Sequence, residues 1–269
     1  VLHRSIPTPS FSVIEIGPLS IHAYALCIIS GVAVAIWLSN KRFVAAFPDA
    51  RGVVSDVAVV AVPSGVLGGR LYHVATTPER FFGSEGRPGD ILKIWQGGLG
   101  IWGAIFLGGV GAFATYLYLG RTRSLPQFRH FADAVAPGII FAQAIGRWGN
   151  WFNGELFGKP TTLPWGLEIP TYLRPDGFES FETFHPTFLY ESLWCALIGF
   201  LLLRYSSRFA PGQIFTLYVA GYCAGRLIFE YLRIDQAHLI AGIRLNIYVS
   251  VAVALISLAI FRKFSKSPR

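Results

Sequence analysis

Seven stretches of this chain are apolar over about the 20 residues that a helix needs to cross a hydrocarbon layer. They lie at about 19–39, 54–75, 98–119, 131–152, 186–203, 212–232 and 244–261. In lipid every backbone N–H and C=O must be satisfied internally, so such runs read as helices. The expected fold is all-α and polytopic, a bundle of about seven transmembrane helices. Charge content agrees. Only 14% of residues are charged, against about 25% in soluble domains. Glycines cluster in the second run (Gly65, Gly68, Gly69) and the third (Gly103, Gly108, Gly109, Gly111), where they let helices approach closely. No internal repeat points to an inverted-repeat transporter.

The charges orient the bundle. With the N-terminus outside and the C-terminus cytoplasmic, Lys41, Arg42, Arg51, Arg121, Arg123, Arg129, Arg204, Arg208 and the Arg262–Arg269 tail fall inside. Arg4, Arg80, Arg87, Lys93, Lys159, Arg174, Arg233 and Arg244 fall outside, in loops they share with ten acids. That asymmetry follows the positive-inside rule. The net charge of +8 therefore serves topology and contact with membrane lipids, and nucleic-acid binding is not expected. The chain reads as a single integral membrane domain over 1–269 with an extracytoplasmic insert at about 154–185, rich in Pro and aromatics. No cleavable signal peptide is read at the start, and with no Met in the chain Val1 is not expected to be the literal translation start. Cys27, Cys195 and Cys223 all lie in apolar sequence. This odd set argues against a disulfide framework and reads as small core residues, with a covalent intermediate as the alternative.

Five charges are not needed for topology: Arg70, Arg147, Arg226, Glu191 and Glu230 all lie inside apolar runs. A charge at the bilayer centre costs at least about 2.5–3.5 kcal/mol, so each needs a partner. Tyr222, Arg226 and Glu230 recur every four residues and share a helix face. Glu230 either neutralises Arg226 or holds it for a ligand. Arg147 shares a face with Asn150 and has no acid at helical spacing before Glu155. Arg70 is either a ligand-binding residue or the partner of Glu191. Three arginines against two acids leave positive charge that an anion would complete, and guanidinium matches phosphate. A phosphate anion resident in a membrane is most simply a phospholipid head group.

The stretch Gly146-Arg147-Trp148-Gly149-Asn150-Trp151-Phe152-Asn153-Gly154-Glu155-Leu156-Phe157-Gly158 gathers glycines, amides, an arginine and a glutamate at the outward end of a run. It reads as a site at interface depth or as a helix end with aromatic anchors. It also resembles the prolipoprotein diacylglyceryl transferase signature G-R-x-G-N-F-x-N-x-E-x-x-G, with Trp151 for the Phe. Further blocks match in order: His22-Ala23-Tyr24, Leu67-Gly68-Gly69-Arg70, Trp95-Gln96-Gly97-Gly98-Leu99, His185-Pro186-Thr187 with Tyr190-Glu191, and Tyr222 through Arg226 and Glu230 to Arg233.

The resemblance implies a seven-span bacterial inner-membrane enzyme with an extracytoplasmic head and no metal or organic cofactor. The implied partners are phosphatidylglycerol and prolipoprotein signal peptides bearing a lipobox cysteine. The reaction moves the sn-1,2-diacylglyceryl group onto the cysteine thiol and releases glycerol 1-phosphate. By position, Arg147 resembles the family's lipid-phosphate arginine; Asn150, Tyr24, Gly158, Arg226 and Glu230 match other residues on which the family depends. One departure is Trp102, which stands where many relatives have a histidine proposed as general base; an indole N–H cannot accept a thiol proton.

The catalytic set expected from this reading is Arg147, Arg226, Asn150, Tyr24 and Glu230, with Arg147, Arg70, Gly158, Tyr222 and His185 binding substrate. Arg147 and Arg226 clamp the phosphate and favour the thiolate, Asn150 and Tyr24 orient the glycerol, and Glu230 positions Arg226. For His185, which precedes Pro186, a helix-entry role stands equally open. A transporter lined by the buried charges and a non-catalytic lipid-binding scaffold are the competing classes.

Overall fold

The computed structural model describes residues 5–265 except 18, 85, 95, 96, 236 and 238. Arg4, Lys266, Arg269 and the Trp95-Gln96 pair lie outside the described residues. A short hairpin, β1 (Val13–Ile16) with β2 (Leu19–His22), leads into α1 (Ala23–Ala46). Then come α2 (Val53–Thr76), the single turn α3 (Glu79–Phe82), α4 (Ile101–Leu119) and α5 (Phe128–Asn153). The insert carries β3 (Leu167–Glu168) and β4 (Thr183–Phe184), and α6 (Thr187–Tyr205) and α7 (Gln213–Leu232) follow. A hairpin of β5 (Leu239–Ile240) and β6 (Ile243–Arg244) opens into α8 (Leu245–Ser265).

Each apolar run coincides with a long helix. Five of them, α1, α2, α4, α6 and α8, are long and apolar enough to cross a membrane. Their unpartnered faces are apolar: Val59, Ile105, Phe106, Leu117, Leu255 and Ile256 are exposed, as lipid contact requires. The chain is thus a multi-pass membrane protein built on α-helices. Helices α5 and α7 fall short because polar residues dilute them: Arg129, Asp133, Gln143, Arg147 and Asn150 in the first, Gln213, Arg226 and Glu230 in the second.

The chain groups into two compact units, Val1–Ser39 with Ala132–Arg269, and Asn40–Phe131. In the second, α2 packs on α4 along a glycine seam. A Cβ on Gly68 would stand 2.2 Å from the Gly103 carbonyl oxygen, and one on Gly103 would stand 2.1 Å from that of Gly68. The glycine clusters therefore do what their spacing suggests. At the other end of this pair, Phe43, Phe47, Tyr116, Phe128 and Phe131 form a ring cluster.

In the first unit, α1 lies against α5, with Gly31 meeting the Ala142 carbonyl and Gly138 meeting that of Ala35. Helix α6 meets α7 where the Trp194 indole donates to the Gly221 carbonyl at 2.9 Å. Helix α8 meets α7 where the Ser257 hydroxyl donates to the Thr216 carbonyl at 2.7 Å. Asp133 of α5 takes the N–H groups of Gly212 and Phe215 at 2.6 and 2.8 Å, capping the start of α7. The insert forms a small head around Phe157, Leu167, Ile169, Phe184 and Phe188, with Ile6 of the N-terminal segment bridged to Leu167.

Candidate active site

Three helices of the first unit, α5, α6 and α7, and the β5–β6 hairpin bring their charges together. Arg147, nearly two turns before the end of α5, reaches Glu191 on α6 at 2.6 Å and donates to the Tyr222 hydroxyl on α7 at 3.4 Å. One turn further along α7, Arg226 meets Glu230 at 2.7 Å. Glu191, Trp194, Cys195, Tyr222, Gly225, Arg226 and Phe229 line one small open cleft. Arg147 borders it through its two partners. Glu230 is fully buried and has a second cation, Arg244, 2.8 Å away, and it accepts from the Asn246 amide at 3.2 Å. Arg244 also reaches Asp235 at 3.0 Å, and Asp235 takes both Nε and Nη2 of Arg233, at 2.6 and 2.8 Å. Burial alone would raise the Asp235 carboxyl. The hydrogen bond and charge of Arg233, with Arg244 behind it, hold it below the ordinary carboxylate value.

This network corrects the expected charge balance in three places. Arg70 is not the partner of Glu191, which is taken by Arg147. Its guanidinium instead binds the carbonyls of Ile91 at 2.8 Å and of Gly97 and Gly98 at 2.8 and 3.1 Å, together with that of Asp90, and it lies over the Phe81 ring. Arg70 thus organises its own loop. Arg233, expected in a water-facing loop, is buried and Arg244, expected likewise, is largely withdrawn from solvent: their side chains are 6% and 12% exposed. Among the described residues the ion-paired cluster then holds Arg147, Arg226, Arg233 and Arg244 against Glu191, Glu230 and Asp235, one more arginine than acids. Arg244 and Asn246 went unmarked because they open the last apolar run, where cations usually signal topology; an amide two residues after the arginine was the available cue.

The signature segment folds back on itself. Asn150 and Asn153 both donate to Oε1 of Glu155, at 3.0 and 3.1 Å, so Glu155 fixes the amides that follow Arg147. The Tyr24 ring covers Gly149, where a Cβ would stand 2.4 Å from it. Tyr24 and Asn150 are therefore on the same helix end as Arg147. Gly158 serves the backbone: its N–H donates to His185 at 2.9 Å, and a Cβ would meet the His185 Cβ at 2.9 Å and the Leu232 carbonyl at 3.1 Å. Gly158 thereby joins the head to the ends of α6 and α7. His185 shares its Nδ1 with the Tyr190 hydroxyl at 3.2 Å, and that hydroxyl accepts from Trp165 at 3.0 Å. Burial lowers the His185 imidazole below its usual value.

Sequence comparison decides what this cluster belongs to. A family model described as prolipoprotein diacylglyceryl transferase matches residues 12–262. The chain belongs to that family. The phosphatidylglycerol–prolipoprotein diacylglyceryl transferase 2 of Streptomyces coelicolor is 54% identical over 252 residues, 93% of this chain and 78% of its own. The corresponding transferase of Streptomyces griseus is 53% identical over 254 residues, 94% of this chain and 75% of its own. That of Paenarthrobacter aurescens is 46% identical over 281 residues, 98% of this chain and 85% of its own. Membership in the diacylglyceryl transferase family makes the chain a transferase. Trp102 lies in the first turn of α4, half-exposed.

Proposed function

We propose that this chain transfers the sn-1,2-diacylglyceryl group of phosphatidylglycerol to the thiol of a lipobox cysteine in prolipoprotein signal peptides. This is the first step of lipoprotein maturation. The thiolate attacks the glycerol carbon bonded to phosphate, a C–S bond forms as the C–O bond breaks, and glycerol 1-phosphate leaves. The observation that carries the reading is a pair of guanidiniums at one cleft, Arg226 lining it and Arg147 bordering it, in an ion-paired cluster of four arginines and three acids.

Arg147 and Arg226 hold the lipid phosphate and stabilise the charge that grows on it as it leaves. The same field favours the attacking thiolate. Glu191 and Glu230 orient the two guanidiniums, Tyr222 adds a hydroxyl between them, and Asn150 and Tyr24 orient the glycerol. Gly158 and His185 support the cleft from the head, and Arg70 acts through the loop it organises. The bundle reads as seven spans, N-terminus outside and C-terminus cytoplasmic, in the bacterial inner membrane. In this reading α5 and α7 also cross, their polar residues satisfied inside the bundle. Incubation of purified protein with phosphatidylglycerol and a lipobox peptide tests the function by mass gain on the cysteine. Arg147→Ala is expected to abolish that gain; transfer at the wild-type rate would refute the assignment of Arg147.

A further inference from the structure

The Glu230 side chain has no solvent exposure, so its charge is shared only among protein groups. Its Oε2 faces Nη2 of Arg226 at 2.7 Å, while its Oε1 faces Nε of Arg244 at 2.8 Å and accepts from Asn246. One carboxylate is thus divided between two guanidiniums. Left alone, an arginine and a glutamate one helical turn apart could close fork to fork, using two donors of the guanidinium and cancelling its charge. The oxygen such closure needs is taken by the Asn246 amide, which hydrogen-bonds it, and by Arg244, which meets it as an ion pair. Arg244 does not follow Glu230 around, because its other nitrogens are fixed: Nη1 donates to the Arg233 carbonyl at 2.9 Å, and Nη2 to the Asp235 carbonyl and to Asp235 Oδ2, both at 3.0 Å. The β5–β6 hairpin supplies Arg244, so it reaches Glu230 from a different element than α7. Of the three arginines on Glu230 and Asp235, Arg226 is the one that lines the cleft, so the surplus charge of the cluster is expressed there.

We infer that Arg244 is a positioning residue: it holds Glu230 to a single contact with Arg226 and so keeps the Arg226 guanidinium incompletely neutralised and open toward the lipid phosphate. This rests on the reading of Arg226 as a phosphate-binding group. The test is steady-state kinetics of wild type, R244Q, R244K, E230Q and the R244Q/E230Q double variant, with phosphatidylglycerol and peptide varied in turn and melting temperatures alongside. R244Q is expected to raise KM for phosphatidylglycerol about tenfold and leave KM for the peptide unchanged, with R244K in between at about threefold. In the E230Q background R244Q is expected to change neither, because there is no carboxylate left to hold back. An unchanged lipid KM in R244Q, or equal losses in both backgrounds, overturns the inference and leaves Arg244 a clamp between α7 and α8. Should R244Q not fold, R244K decides: an unchanged lipid KM there also overturns it. Arg226→Ala separates the two layers. If it keeps the wild-type lipid KM, the reading of Arg226 fails; if it loses lipid binding while R244Q is silent, only the role of Arg244 fails.

Discussion

Glu191→Gln should weaken the protein and yet tighten its hold on an anionic lipid. The change keeps the volume of the side chain and removes its charge. Glu191 is 6% exposed and Arg147 16%, so water screens their 2.6 Å contact very little. The ion pair becomes a contact between a guanidinium and a neutral amide oxygen, a loss of about 1–2 kcal/mol. Arg147 is also left with weaker compensation, and complete rupture of a buried pair costs about 3–5 kcal/mol. Since the amide oxygen still accepts, about 2–3 kcal/mol is expected. A lipid phosphate restores what the mutation removes, so the variant should bind phosphatidylglycerol more tightly by up to the same amount, about thirtyfold for 2 kcal/mol. Turnover should fall, because Arg147 is no longer aimed. Unfolding in detergent with and without phosphatidylglycerol reads the first two effects, and peptide lipidation reads the third. Equal stabilisation of wild type and variant by phosphatidylglycerol would refute the reasoning, because the surplus charge would then not be facing the lipid.

Gly68→Ala should destabilise the α2–α4 pair by about 1–3 kcal/mol through overpacking, since its Cβ would meet backbone at 2.2 Å; Gly109→Ala, with nothing within 4 Å, should be close to neutral in the same melt. Asp235 is held below the ordinary carboxylate value, so its contribution to stability is complete above the unfolded value of about 3.9 and is lost as pH falls through the folded one. Asp235→Asn should therefore lower stability at neutral pH and flatten the acid limb of the stability profile, and an unchanged limb would count against the Arg233–Asp235–Arg244 network. The triple variant C27A/C195A/C223A should retain transfer although Cys195 lines the cleft, whereas loss of lipidation in a variant that still folds would point to a covalent intermediate.

Much of this architecture is legible in hydropathy because a lipid-facing helix is apolar over its whole length, and α1, α2, α4, α6 and α8 are of that kind. Helices α5 and α7 carry weaker signals for the same reason that they matter: their polar residues face other helices. Periodicity places Tyr222, Arg226 and Glu230 on one face, since that depends only on spacing within α7. It could not place Glu191 beside Arg147, because the two are joined by packing of α5 on α6 and by nothing local. Arg244 was illegible for a related reason. An arginine at the start of an apolar run looks the same whether it meets water or a buried carboxylate. Arg70 is the converse case, a buried cation whose partners are carbonyls, a group present at every residue and therefore without a sequence signature.

The pairing of charges across helices also sets an order for making the protein. Arg147 leaves the ribosome well before Glu191, and the Arg226–Glu230 pair before Arg244, so each group spends part of synthesis without its partner. Helices α5 and α7 are the two too polar to enter a bilayer easily by themselves. Their neighbours α6 and α8, both apolar enough to insert unaided, bring the missing partners, Glu191 and the Arg244–Asn246 end. On the seven-span proposal, insertion of the polar helices is thereby tied to arrival of the following apolar ones. A nascent chain stopped before α8 would leave the fully buried carboxylate of α7 short of one of its cations.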